Sequence, residues 1–243
     1  MIRVLIAEDD ETVLETIKLA LSDEGYIIDT AHNGTEALDI LLKQLYDIVV
    51  CDMNLGDTTG INVLKASRNM NRDIKFILVT AHSSVESAVE AIRCGIYDYM
   101  LKPFDTAELK FRVRQAVEKI EADKQKKQIE NQYHTIMDNI PFGIAVISSE
   151  MEIIEVNKQI QEWFPEMHIS ETPRCFHVFC TPPQEKICHE CAVEKTLKNG
   201  KQHIQLRYIH CNGINRKIRC TINPIFDKKK HITGVLKVME EIE

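Results

Sequence analysis

The sequence predicts an α/β domain on a five-stranded parallel sheet, a long connecting helix, and then a small α+β domain with an antiparallel sheet. Three observations carry this reading. Five short apolar runs alternate with amphipathic segments over the first 104 residues. A strand-free segment runs from Thr106 to about Ile140. After Pro141 the apolar period changes to strand-like alternation, and long β-type runs fill the tail.

The parallel strands are expected at Val4–Ala7, Tyr26–Ile28, Ile48–Cys51, Phe76–Val79 and Tyr99–Leu101. Between them, Val13, Leu14, Ile17, Ala20 and Leu21 keep a helical period that closes at Gly25. The same holds for Ala37, Leu38, Leu41 and Leu42, and for Val85, Ala88, Val89 and Ile92 ahead of Gly95. Strands that alternate with helices form a parallel sheet covered on both faces. In the long helix, Leu109, Val113, Ala116 and Ile120 make one apolar stripe, and Ile129, Tyr133, Ile136 and Ile140 make another. The charged stretch Asp123–Lys127 separates them and puts them out of phase, which a continuous coiled coil does not favour. The second half therefore reads as a solvated connector with some capacity to pair. In the last domain, Phe142–Ser148 and Glu152–Val156 flank a turn at Ser149-Glu150-Met151, and a short helix spans about Asn157 to Phe164. Gln202–Cys211, Ile214–Phe226 and Thr233–Met239 read as three antiparallel strands, with turns at Asn212-Gly213 and Asp227–Lys230.

The 243 residues suffice for two ordinary domains, with 44% apolar and 28% charged residues. A net charge of −7 argues against a broad nucleic-acid footprint. No apolar run approaches a membrane span, and Met1–Ala7 runs straight into Glu8-Asp9-Asp10 as a strand would, without a leader's apolar region. A cytoplasmic location is the expectation. Six of the eight cysteines lie between 175 and 220, which without an export signal suggests a metal or redox site before a disulfide framework.

Functional side chains gather at the strand ends. Glu8 and Asp9 follow the first strand, Asp52 the third, Thr80 the fourth and Lys102 the fifth. Open α/β sheets build their sites at these carboxyl ends. Three converging carboxylates call for a hard divalent ion, and Mg²⁺ suits them. Asp52 is then the nucleophile of a phosphoryl transfer, with Lys102 offsetting charge and the Thr80 hydroxyl donating to a phosphoryl oxygen.

The pieces Val4-Leu5-Ile6-Ala7-Glu8-Asp9-Asp10, Asp47-Ile48-Val49-Val50-Cys51-Asp52-Met53-Asn54-Leu55, Val79-Thr80-Ala81 and Lys102-Pro103-Phe104 resemble the response-regulator receiver family over about residues 1–121. The resemblance implies a flavodoxin-like fold and phosphorylation of Asp52 by a sensor histidine kinase or a phosphotransfer protein. It implies Mg²⁺ held by Asp9, Asp52 and the Asn54 backbone carbonyl, with Glu8 acting through water. It also implies a cis Lys102–Pro103 bond and a switch that pairs Thr80 with Tyr99. Asn54 and Ser83 occupy positions that tune dephosphorylation in the family. Gly56 stands where the family usually has proline. Cys51 and Cys94 read as buried apolar fillers.

Met137–Ile147 followed by Ile153-Ile154-Glu155-Val156-Asn157 resembles the start of a PAS domain, a fold that senses small ligands, redox state or light, or pairs subunits. The expected division is 1–121 receiver, 122–140 helical connector and 141–243 PAS-like domain. Cys175-x4-Cys180-x7-Cys188-x2-Cys191 resembles a cysteine-bearing PAS subgroup, with Ile187 and Ala192 in place of flanking prolines. Four thiolates so spaced can enclose a tetrahedral Zn²⁺ or hold an iron–sulfur cluster. Redox-active thiols and plain packing stay open as readings. His177 and His189 are spare candidate ligands, and Cys211 and Cys220 read as packing residues.

No helix-turn-helix, Gly-rich nucleotide loop or kinase phosphoacceptor box follows the connector; His134 reads as a solvated helix residue. The expectation is a signalling protein that is not an enzyme beyond its own phosphoryl transfer and dephosphorylation, with no nucleic-acid or membrane partner. The connector and the receiver face are the surfaces through which it could form a homodimer. The alternative is a metal- or redox-sensing module whose receiver serves mainly to dock to a kinase.

Overall fold

A computed structural model of the chain describes residues 1–70, 73–81, 85–180, 183–211 and 213–242, with the side chains of 85–88 and of 170 outside the description. Ser83 and Asn212 lie outside the described residues. The chain divides into two units, Met1–Lys127 and Gln128–Glu243.

The first unit alternates strand and helix: β1 Arg3–Ala7, α1 Glu11–Ser22, β2 Ile27–Ala31, α2 Gly34–Lys43, β3 Ile48–Asp52, α3 Gly60–Asn69, β4 Lys75–Thr80, α4 Val85–Arg93, β5 Asp98–Leu101 and α5 Thr106–Asn139. The sheet order is β2-β1-β3-β4-β5, parallel throughout. This is the flavodoxin-like arrangement, and the order reverses between β1 and β3. Successive residues of each central strand serve opposite faces. Val4, Ile6, Ile48, Val50, Ile77 and Val79 pack with Ile17 and Leu21 of α1 and with Leu109, Val113, Ala116 and Ile120 of α5. Leu5, Ala7, Val49, Cys51, Phe76 and Leu78 pack with Ala37 and Leu41 of α2 and with Val63 and Leu64 of α3. Both faces being covered explains why these strands read as unbroken apolar runs.

Local chemistry sets the helix starts. Asp10 caps α1 by accepting from the Thr12 and Val13 N–H groups. Asn33 caps α2 through the Glu36 N–H, and Thr59 caps α3 through the Asn62 N–H. α3 leaves no clear apolar period in the sequence, because its buried residues include Gly60 and Ser67 and are mixed with Asn62, Lys65 and Arg68. α5 is continuous across the charged stretch. Its first stripe is buried in the receiver core, while Ile129, Tyr133 and Ile136 are exposed.

The second unit holds β6 Gly143–Ser148, β7 Ile153–Val156, α6 Lys158–Trp163, a 3-10 turn at Ile169–Glu171, α7 Cys175–Val178, α8 Ala192–Asn199, β8 His203–Cys211, β9 Ile214–Phe226 and β10 Ile232–Glu241. Its antiparallel sheet has the order β7-β6-β10-β9-β8. Ala145, Ile147, Ile153, Ile218, Ile222, Val235 and Met239 from the sheet pack against Ile160, Trp163, Phe176 and Val193 from the helices.

The chain folds back on β6 through one buried amide. Asn157 is fully buried; its Oδ1 accepts from Ile144 N at 2.9 Å, and its Nδ2 donates to the carbonyls of Met137 at 3.0 Å and Phe142 at 2.8 Å. The last turn of α5, the start of β6 and the start of α6 thus share one polar knot. Met151, in the turn before β7, takes φ +67° and is buried.

Candidate functional site

The carboxyl ends of β1, β3, β4 and β5 bring together the residues that the sequence singles out. Glu8 leaves β1 with its backbone N–H bonded to Ala31 O at 3.1 Å and its side chain 1% exposed. Asp52 ends β3 and is 9% exposed, while Asp9 is exposed. Carboxylate oxygens of Glu8, Asp9 and Asp52 lie within 4.8 Å of one another. Lys102 reaches in from the end of β5: its Nζ donates to both Glu8 oxygens at 2.8 and 2.7 Å and to Asp52 Oδ2 at 2.6 Å. The Lys102–Pro103 peptide bond is cis.

Asn54 turns its N–H onto Asp52 Oδ1 at 3.2 Å, so the backbone after β3 wraps the carboxylate. Thr80 is 1% exposed at the end of β4, with its carbonyl bonded to Lys102 N at 2.7 Å. Tyr99 is half-buried and pairs in register with Leu78, two residues before Thr80. The pleat therefore puts Thr80 and Tyr99 on one face of the sheet, beside the Phe76–Leu78 core.

The electrostatics follow from crowding. Burial pushes the Glu8 carboxyl up to about 7, opposed mainly by the hydrogen bond from Lys102 and helped by the negative charge of Asp52. Lys102 is held above its ordinary value by Asp52 and Glu8, although burial, the largest single effect, pulls it down. Three carboxylates against one ammonium leave the site two charges negative when all are ionised. A hard divalent ion with oxygen ligands matches that deficit. Receiver domains bind Mg²⁺ at an acidic site, and Glu8, Asp9 and Asp52 form such a cluster.

Two features of the loop after Asp52 escaped sequence reasoning. Gly60 packs so closely under the strand end that a Cβ there would stand 2.3 Å from the Asp52 carbonyl oxygen. Asp57 ties the loop to α2: its Oδ1 accepts from Gly34 N at 2.8 Å, and its Oδ2 accepts from Thr35 N at 2.9 Å and from the Thr35 hydroxyl. Those bonds, the hydroxyl first, hold the Asp57 carboxyl down at about 2. Gly56 takes φ +77°, a conformation closed to proline, so the departure from the family residue goes with a different backbone path. Cys51 is fully buried beside Asp52, and burial raises its thiol pKa well above the ordinary value, as befits an inert filler.

In the second unit, Cys175, Cys180, Cys188 and Cys191 line one cavity, together with Cys220. Among the described residues the close-set group of potential metal ligands is the acidic one of the first unit, not these cysteines. His177 and His189 are exposed and are not among its lining residues. Cys211 is buried in the same core but lines a different cavity, beside Trp163.

The parallel sheet with an acidic cluster and a lysine at its carboxyl edge defines a receiver-type domain. Residues 4–114 match the response regulator receiver domain, and residues 141–243 match the PAS domain. The chain is a response-regulator receiver domain followed by a PAS domain. Similar curated proteins include the alginate biosynthesis transcriptional regulatory protein AlgB of Pseudomonas syringae pv. tomato, 29% identical over 65% of this chain and 35% of its own length. The regulatory protein AtoC of Escherichia coli K12 is 33% identical over 60% of this chain and 31% of its own. The chain thus spans about a third of the length of these two relatives. Among solved structures, a CheY-like receiver domain protein from Methanospirillum hungatei JF-1 is 26% identical, over 53% of this chain and 98% of that one, at a TM-score of 0.48.

Proposed function

We propose that this chain is a phosphorelay response regulator, phosphorylated on Asp52 by a partner histidine kinase or a phosphotransfer protein, that relays its state to the PAS domain without a DNA-binding output. The observation that supports this most is the Lys102 ammonium, 2.6 Å from Asp52 Oδ2 within a buried acidic cluster. It holds an acceptor oxygen in place and offers a positive charge where phosphoryl oxygens would collect.

In this reading an Asp52 carboxylate oxygen attacks the phosphorus of a phosphohistidine. The P–N bond breaks, a P–O bond forms, and its electron pair returns to the imidazole, which takes up a proton. Asp9, Asp52 and the Asn54 carbonyl would hold Mg²⁺, with Glu8 acting through water. When bound, the ion neutralises charge on the transferring group. Lys102 orients the group, and the buried Thr80 hydroxyl donates to one of its oxygens. As Thr80 moves toward the phosphoryl group, Tyr99 on the same sheet face fills the space it leaves. The functional division is 1–121 receiver, 122–140 connector and 141–243 PAS domain, with α5 as the covalent route between them. The thiol cluster is a second input that holds Zn²⁺ or an iron–sulfur cluster. The protein works in the cytoplasm, without a separate catalytic output, and the connector supports a homodimer.

A second reading is favoured by the four-cysteine cavity: a metal- or redox-sensing module whose receiver mainly docks to a kinase. Asp52→Asn separates the two. With a small acyl-phosphate donor and Mg²⁺, the wild-type chain should gain one phosphoryl group by intact mass, and the variant none. Equal labelling of both would end the first reading. Partner binding that ignores Asp52→Asn but is lost on chelation or oxidation would establish the second.

A further inference from the structure

The PAS domain turns two cations toward its core, Lys237 buried and Arg207 half-buried. Lys237 sits in the middle of β10 and is 8% exposed, with its ammonium 4.4 Å from the centre of the Phe179 ring. Among the described residues its contact is with this ring, and no carboxylate lines the cavity beside it. β8 is turned in an unusual sense: Ile204, Leu206 and Tyr208 face solvent, while the alternate residue Arg207 faces inward. A strand on a one-sided sheet ordinarily does the reverse. A buried cation is disfavoured without a nearby anion, so negative charge is expected on this side of the sheet.

Both cations line the cavity that the cysteines line. Cys175 opens α7, Cys191 caps α8, and Cys180 and Cys188 lie between these helices. Cys175 and Cys191 are 5% and 4% exposed. Arg207 Nη2 lies 3.4 Å from Cys188 Sγ. The cavity between them measures about 30 Å³. A neutral thiol can accept the Arg207 hydrogen bond but offers the two cations no charge; a thiolate does.

We propose that Cys175, Cys180, Cys188 and Cys191 bind a single zinc-class ion, with Lys237 and Arg207 as its charge partners. This rests on the reading of the cluster as a metal site and narrows it. Four thiolates around one divalent ion carry a net charge of −2, and Lys237 with Arg207 supplies +2. Zn–S bonds of about 2.3 Å put tetrahedral sulfurs about 3.8 Å apart. Binding draws the four sulfurs into one shell as the ion displaces their protons. The charge partners act as second-shell groups that tune affinity and touch no metal.

The test titrates the full-length chain, purified anaerobically and stripped of metal, with Co²⁺ as the optical probe and Zn²⁺ as the competitor. One Co²⁺ per chain should bind with the intense thiolate-to-cobalt absorption of a four-sulfur tetrahedral site, and one equivalent of Zn²⁺ should abolish it. Cys175→Ser or Cys188→Ser should each weaken that absorption. Lys237→Met should lower Zn²⁺ affinity by about 10- to 100-fold with the four-thiolate spectrum unchanged, and Lys237→Arg should restore the affinity. Unaltered affinity in Lys237→Met would overturn the charge-partner role. Iron with matching acid-labile sulfide in the isolated protein would overturn the single ion while leaving a metal site in place. No metal and no thiolate–cobalt absorption would end both readings.

Discussion

The Lys102 ammonium is shared between Asp52 and Glu8, at 2.6 Å from one and 2.7 Å from the other. Without it, two carboxylates with little access to water would face each other unpaired. Lys102→Met should cost roughly 2–3 kcal/mol of receiver stability, part of it recovered by millimolar Mg²⁺. Urea unfolding with and without Mg²⁺ checks this. Equal stability of variant and wild type in the metal-free state would mean that the contact is not formed in solution.

The same crowding gives the receiver a pH dependence. With its carboxyl raised to about 7, Glu8 binds more proton in the folded than in the unfolded chain between the ordinary glutamate pKa and about 7. Stability from this group is therefore full at the low end of that window and is lost as pH rises through about 7. Subtracting the profile of Glu8→Gln should isolate the trend in metal-free protein. Since a divalent ion competes with the proton, apparent Mg²⁺ affinity should rise with pH over the same interval. A flat difference profile would contradict the assignment.

Two glycines fix the loop beneath the acceptor. Gly60→Ala drives a methyl group onto the Asp52 carbonyl and the buried Leu78 and Cys51 side chains, and should both slow labelling by an acyl phosphate and lower the melting temperature. Gly56→Pro demands a negative φ where the chain has +77°, and should cost about 1–3 kcal/mol. Circular dichroism melts together with phosphorylation rates would distinguish the two effects.

The buried amide of Asn157 predicts a stability effect confined to the PAS domain. Asn157→Leu strands the Ile144 N–H and the Met137 and Phe142 carbonyls, and should cost about 3 kcal/mol or more. Trp163, the only tryptophan of the chain, is buried in that domain, so its fluorescence reports this unit alone. A shift of the tryptophan transition with an unchanged receiver transition is the expected result.

The architecture was largely legible because strand runs buried on both faces and one-sided alternation leave different periods in a sequence. The strand Ile214–Phe226 falls where its alternation put it. The site was legible where its residues end strands, as Glu8, Asp52, Thr80 and Lys102 do. It was opaque where a loop side chain serves a segment distant in sequence. Asp57 reads as an ordinary turn residue until its carboxylate is seen on the N-terminus of α2. Lys237 was hidden for another reason: a lysine within an alternating strand looks solvent-facing, and only the packing of Phe179 and the cysteines shows it turned inward.

The knot at Asn157 also bears on where this sensor begins as a transferable part. Its amide takes an acceptor from Met137, and Asp138 receives the Lys158 N–H at 3.0 Å, so the final turn of α5 belongs by hydrogen bonding to the fold that follows it. A graft or truncation cut at Pro141 would sever that turn from its own domain and leave a buried donor without its carbonyl. The natural seam for exchanging inputs among such regulators lies further back, in the solvated stretch of helix before Met137.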